Sequence, residues 1–179
     1  MTRMSNLYYS QMDTPLGILT LARTKKGLCW LDFNQEETVL YNLERWSRKY
    51  FLTDQMQHDD VALQEIKDQL DEYFKGQRTT FDYELDLVGT PFQKLVWQAL
   101  LDIPYGEYRT YKDIALTIGA PKAVRAIGGA NNKNNIPIII PCHRVIGTNG
   151  ALVGYGGGLH IKEFLLELEG VSYKSQKKA

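Results

Sequence analysis

The sequence predicts an α/β N-terminal half followed by a mainly helical C-terminal half that contains a helix-turn-helix. Three observations carry this. Short β-branched or aromatic runs separated by turn signals open the chain, whereas 12 of its 15 glycines fall at or after Gly89, among helical patterns. Charge divides at the same place: residues 1–88 hold 10 Lys and Arg against 15 Asp and Glu, and residues 89–179 hold 11 against 6. The halves therefore carry −5 and +5 within a chain of zero net charge, which suggests that the second half faces a polyanion. At 179 residues the chain is long enough for one large or two small domains, on the usual scale of about 100–200 residues each.

The segments LYYSQM, GILTLAR and GLCWLDF read as strands, divided by turns at Thr14-Pro15-Leu16-Gly17 and Lys25-Lys26-Gly27. Helical spacing follows, first in Val39, Leu40, Leu43 and Trp46, then in Leu63, Ile66, Leu70, Tyr73 and Phe74, beyond a polar stretch at 54–60. FDYELDLV reads as one more strand, so the first half is expected to be a mixed sheet covered by helices. In the second half Thr90, Pro91 and Gln93 supply an N-cap, a proline at the first helical position and the partner of a capping box. Phe92, Leu95, Val96, Ala99, Leu100 and Ile103 form the expected core stripe of that helix. Thr110 with Asp113 opens a short helix over 111–118, stopped by Gly119, and Pro121 begins another over roughly 122–130. Two short helices joined by a Gly-containing turn fit a helix-turn-helix. Ala123, Ala126 and Gly128 on the second of them permit close backbone approach, and Lys122 and Arg125 bring charge suited to phosphates or a groove. The terminal KSQKKA reads as a frayed basic tail.

A hydrophobic fraction of 44% with 23% charged residues is that of a globular protein and excludes a disordered or collagenous chain. No apolar run reaches the ~18–20 residues of a membrane span, and the first ten residues lack a secretory signal, so a soluble cytoplasmic protein is expected, nuclear in a eukaryotic cell. Two cysteines, Cys29 and Cys142, do not make a disulfide framework. Three histidines without CxxC or HxxxH spacing make no zinc set, and neither a metal nor a cofactor is expected.

Chemistry concentrates after the third helix of the second half. NNIPIIIPCHRVIG brackets a β-branched run with Pro137 and Pro141, then delivers Cys142, His143 and Arg144. A cysteine closing an apolar run reads, taken singly, as a core thiol; an adjacent histidine changes that. If the chain is extended there, Cys142 and His143 point to opposite sides, poorly placed for direct contact, and a bridging water could carry the proton from thiol to imidazole. His143 is the candidate base, because a thiol of pKa ~8.5 needs activation at neutral pH. Its second nitrogen needs an acceptor. On the last helix Ile161, Phe164, Leu165 and Leu168 form the buried stripe with Glu169 at its edge, while Glu163 and Glu167 face solvent; spacing alone does not decide which glutamate reaches His143. The glycine-rich GALVGYGGGLH between them suits a pocket wall, without the pattern of a phosphate-binding P-loop.

IPCHRV at 140–145, preceded by RAIGGANNKNNIPI at 125–138 and followed by GYGGGLHIKEFLLELEG at 154–170, resembles the signature of the O6-alkylguanine-DNA alkyltransferases, also called methylated-DNA-protein-cysteine methyltransferases. The resemblance runs through 89–179; residues 1–88 fit only in length and pattern. It implies an N-terminal α/β domain with a ribonuclease-H-like core over 1–88 and a C-terminal winged-helix-like domain over 89–179 that binds DNA and does the chemistry. By position, Cys142 would be the alkyl acceptor, His143 its base through a water, Glu169 the partner of His143, and Asn134 a support near the cysteine. Tyr111 would hydrogen-bond the target base, and Arg125 would replace the flipped nucleotide in the duplex. Val145, Tyr155 and Gly156 would line the base pocket, Gly156 standing where some members carry serine. The family implies irreversible, single-use transfer from O6 of guanine, and also O4 of thymine, in double-stranded DNA, by a monomer without a cofactor. Three readings compete: a damage-binding relative without transfer, disfavoured by the presence of Cys142; a helix-turn-helix regulator with a redox-sensing cysteine; and a cysteine hydrolase.

Overall fold

Strands β1 (Leu7–Thr14), β2 (Gly17–Arg23) and β3 (Leu28–Asp32) form an antiparallel meander, because the alternating runs are joined by turns too short for any other pairing. The computed structural model describes residues 6–33, 36–51, 55–152 and 158–173. The chain divides into two units, Met1–Val88 and Gly89–Ala179. Among the described residues no helix is long and apolar enough to cross a membrane.

In the first unit helix α1 (Glu36–Phe51) packs on β2 and helix α2 (Gln64–Phe74) on β1. Leu7, Ala22, Cys29, Trp30, Val39 and Leu43 form one buried cluster. At roughly 1.5–3 kcal/mol for each large apolar side chain removed from water, this face holds the sheet to its helix. Cys29 lies within it, its thiol donating weakly to the Ala22 carbonyl at 3.5 Å, and burial followed by the charge of Asp86 pushes its pKa far up, so it is an inert core thiol.

The first unit departs from the expected strands at two places. The polar stretch at 54–60 contributes a strand, β4 (Met56–His58), which pairs parallel with β1 and completes the order β3-β2-β1-β4. Conversely FDYELDLV is not a regular strand: it makes a single bridge, Leu28 to Leu85, with the Leu28 amide donating to Glu84 and the Asp86 amide to Leu28. Its neighbouring backbone groups are taken by a side chain, since Gln69 of α2 both donates to and accepts from Asp82. A ladder cannot extend where an amide side chain holds the main chain.

The second unit comprises α3 (Pro91–Leu101), β5 (Arg109–Thr110), α4 (Tyr111–Thr117), α5 (Val124–Asn132), a 3-10 turn over Cys142–Arg144, β6 (Val145–Ile146) and α6 (Leu159–Leu168). Both capping boxes form, Thr90 with Gln93 and Thr110 with Asp113. The buried face of α3 is rotated from the expected stripe: Val96, Trp97, Ala99 and Leu100 are inside, and Leu95 is 49% exposed. Trp97 causes the rotation, because its indole N–H donates to the Ala130 carbonyl at 2.9 Å and ties α3 to α5. On α6 the buried residues are Ile161, Lys162, Leu165 and Leu166, which displaces Phe164 and Leu168 to half-buried positions.

Gly27 provides a test of the first unit. A β-carbon there would lie 2.4 Å from the Glu84 carbonyl oxygen, at a φ of +157°. Backbone cannot yield as a side-chain end can, so Gly27→Ala is expected to cost at least about 2 kcal/mol of stability, measured by denaturant unfolding.

Candidate active site

β5 and β6 pair in parallel, with Arg109 opposite Val145 and Thr110 opposite Ile146. β5 runs into the first residue of α4, Tyr111, and β6 leaves the 3-10 turn that holds Cys142, His143 and Arg144. Two paired residues therefore bring the start of α4 beside the cysteine. The turn replaces the extended backbone expected at Cys142 and His143: the Arg144 amide donates to the Pro141 carbonyl, which curls the chain immediately after the apolar run. That run is itself held as turns rather than as a strand, with Ile140 donating to Ile136 and Ile138 at φ +74°. A β-branched residue in that region is strained and persists only where its surroundings over-determine it. Asn134 is one such determinant: its amide nitrogen donates to Ile140 at 2.8 Å and its oxygen accepts from the Ile136 amide at 2.9 Å, two residues before Cys142.

Cys142 is 3% exposed and His143 is fully buried. His143 Nε2 lies 2.8 Å from Glu169 Oε1, so of the three glutamates the last is the one that reaches the imidazole; Glu163 and Glu167 are exposed. An ionised carboxylate only accepts, which places the proton on Nε2 and leaves a lone pair on Nδ1. Nδ1 is buried and has no hydrogen-bond partner among the described residues. The carboxylate is also gripped by Arg144, whose Nε donates to Oε2 and Nη2 to Oε1, both at 2.8 Å, while Nη1 donates to the Ile103 carbonyl. Burial alone would push the Glu169 carboxyl up, but the hydrogen bonds and charges of His143 and Arg144 outweigh it and hold the pKa at about 2. Burial pushes the His143 imidazole below its ordinary value, helped by the charges of Arg144 and Lys162 and opposed by Glu169. The imidazole is therefore neutral near pH 7, with its Nδ1 lone pair able to accept.

Lys162, which the sequence pattern does not single out, and Arg144, to which it gives no role, also belong to this buried cluster. Lys162 is wholly buried on α6 and donates from Nζ to the Val145 carbonyl; burial lowers its pKa to about 8, against an upward pull from Cys142. The signal was available: Lys162 stands seven residues before Glu169, on the face that Ile161, Leu165 and Leu166 also share. Tyr111 is 7% exposed, its phenol pushed up by burial and then by the charge of Cys142, so it remains a protonated donor.

The remaining expected residues lie elsewhere. Lys122, Arg125 and Ala126 are exposed along α5 and the turn before it, and Ala123 and Gly128 are half-buried there. A β-carbon at Gly128 or Gly129 would meet nothing within 4 Å. Tyr155, Gly156 and the tail at 174–179 lie outside the described residues.

Acid stability should report the His143 and Glu169 pair. Both have folded pKa values below their ordinary 6.5 and 4.5, so the unfolded chain binds protons that the folded chain refuses, and stability rises with pH. As pH falls, stability is expected to drop first below about 6.5 through His143 and again from about 4.5 towards 2 through Glu169. In Glu169→Gln the second loss should be smaller than in the unmodified protein, read as thermal midpoint against pH.

Comparison with known proteins matches both units. Residues 7–87 match the ribonuclease-like domain of 6-O-methylguanine DNA methyltransferase, and residues 91–171 match its DNA-binding domain. The constitutive methylated-DNA-protein-cysteine methyltransferase of Bacillus subtilis is 48% identical, over 94% of this chain and 99% of its own. That of Methanosarcina barkeri is also 48% identical, over 91% and 97%. The crystal structure of Mycobacterium tuberculosis OGT in complex with DNA superposes with a TM-score of 0.78 at 49% identity, covering 90% of this chain and 92% of that one. The likeness thus extends through the first half as well, where the sequence pattern alone fitted only loosely. Both domains in the same order, and relatives alike over nine-tenths of their length, establish that the chain belongs to the 6-O-methylguanine DNA methyltransferase family.

Proposed function

We propose that this protein repairs DNA directly, moving an alkyl group from O6 of guanine irreversibly onto the sulfur of Cys142. The observation that carries the reading is the buried chain of Cys142, His143 and Glu169, with the lone pair of His143 Nδ1 uncommitted and Tyr111 held nearby as a protonated donor. The thiol proton passes through a water to Nδ1, and Glu169 stabilises the imidazolium that results. The thiolate attacks the alkyl carbon in line: the S–C bond forms, the C–O6 bond breaks, and the electron pair stays with the guanine, which takes up one proton. Tyr111 donates a hydrogen bond to the base as that charge develops. The same displacement suits O4 of thymine. A thioether is stable and nothing in the reaction regenerates the thiol, so each molecule acts once.

A base stacked in a duplex cannot reach a thiol that is 3% exposed, so the nucleotide must leave the helix. The exposed face of α5 suits that task. Arg125 serves as the wedge that fills the vacated space, Lys122 contacts phosphate, and Ala123, Ala126 and Gly128 let the backbone approach the groove. Val145 belongs to the base pocket, residues 1–88 act as a structural domain, and residues 89–179 form the working one. The protein works as a monomer, without a cofactor, in the cytoplasm or the nucleus.

Intact-mass measurement after incubation with an O6-methylguanine duplex should show one methyl group per chain, lost in Cys142→Ala while duplex binding persists. An unlabelled protein would overturn the assignment. Arg125→Ala is expected to slow repair of the duplex by roughly 10- to 100-fold, yet to leave reaction with free O6-benzylguanine within about twofold, since only the duplex needs extrusion. Gly129→Ala should stabilise the fold by about 0.5–1 kcal/mol, because helical glycine is costly and the space is open, yet weaken duplex binding.

A further inference from the structure

One amide faces two groups of the reaction. Asn131, on the inner face of α5, is 2% exposed, and its Nδ2 lies 3.5 Å from the Tyr111 hydroxyl and 3.4 Å from the Cys142 carbonyl. The direction of the amide is set by chemistry. A backbone carbonyl can only accept, so the end that faces Cys142 must be the NH2; reversed, oxygen would oppose oxygen. The same end faces Tyr111, whose phenol oxygen therefore accepts from Asn131. A phenol has one hydrogen, and with this lone pair engaged that hydrogen is directed away from the amide.

Stability does not explain the residue. Asn is a poorer helix former than Ala or Leu, and both contacts are long. Its Oδ1 is buried with no partner among the described residues, an arrangement that costs on the order of 1–3 kcal/mol. Ile127 and Ala130, its buried neighbours on α5, are apolar, so an apolar side chain would suit the face. A polar group that weakens the fold while bridging nucleophile and donor calls for a functional account.

We infer that Asn131 is a positioning residue: its amide ties the Tyr111 hydroxyl to the backbone of Cys142 and turns the phenol hydrogen towards the base being dealkylated. Donating into the phenol oxygen also polarises the O–H, which makes Tyr111 a stronger donor as negative charge appears on the guanine. The inference rests on the alkyl-transfer reading and on the part given there to Tyr111.

The test is a double-mutant cycle in the full-length protein with an O6-methylguanine duplex, using Asn131→Leu, Tyr111→Phe and the pair. Single-turnover rates at saturating protein report the chemical step, and duplex affinity is measured separately in a Cys142→Ala background. Expected are an about tenfold slower chemical step in Asn131→Leu, duplex affinity within about twofold, and no more than about twofold further loss when Asn131→Leu is added to Tyr111→Phe. Asn131→Asp, of the same shape but without the N–H groups, should reproduce the slower step and serves if the leucine variant does not fold. Losses that multiply in the double variant, or a normal rate in Asn131→Leu beside a slow Tyr111→Phe, would overturn the inference and leave the alkyl-transfer reading intact. A normal rate in Tyr111→Phe would overturn it together with the part assigned to Tyr111. Absence of transfer in the unmodified protein would remove both.

Discussion

The buried carboxylate of Glu169 is the interaction on which the second unit depends. It accepts from His143 on one oxygen and from Arg144 on both, its side chain fully buried. A charge so placed is tolerable only when fully paired, because losing one partner leaves an ion without hydration. That condition organises what surrounds it. Arg144 must remain beside the carboxylate, and its third contact, to Ile103, fastens the end of α3 to the turn that holds the cysteine. The Tyr105 ring lies under the guanidinium, and its hydroxyl donates to Leu168 on α6. The tautomer of His143 and the contacts that join α3, α6 and the turn thus meet around one carboxylate.

The two charges also divide a task that neither could do alone. Glu169 fixes which nitrogen of His143 carries the proton, while burial, helped by the charge of Arg144, keeps a second proton off. A base that is neutral at rest, and stabilised when it accepts, is what deprotonation of a thiol requires. Lys162 adds a buried positive charge felt by Cys142, at the cost of its own desolvation. The active cysteine therefore lies among charges, in contrast to Cys29, which is surrounded by the apolar core of the first unit. Two thiols of one chain thus sit in opposite surroundings.

The outer face of α5 follows the opposite rule. Its glycines fill no gap in the protein, and alanine would make a better helix. Small residues there make sense only against a surface the chain does not contain, and duplex DNA is the surface that the exposed Arg125 and Lys122 suit. On the inner face of the same helix, Trp97 holds Ala130 and Asn131 bridges Tyr111 and Cys142. One helix of nine residues thus has an exposed basic face with small residues and an inner face that reaches Tyr111 and Cys142.

Local signals were legible in the chain itself. Turn residues placed β1, β2 and β3, capping boxes placed the starts of α3 and α4, and the PCHR segment singled out its cysteine, because each depends on residues within a few positions of one another. What spacing left open was decided at a distance. The strand at 56–58 exists because β1 offers a free edge, and the segment at 81–88 stops at one bridge because Gln69 holds its backbone. Leu95 yielded its buried place to Trp97 when the indole found Ala130, and Lys162 went inside to reach Val145. The choice among three glutamates required the geometry of α6 against the turn. Periodicity states which residues share a face, but the partner that satisfies a buried polar atom lies 17 to 33 residues away in these cases, and only folding brings the two together.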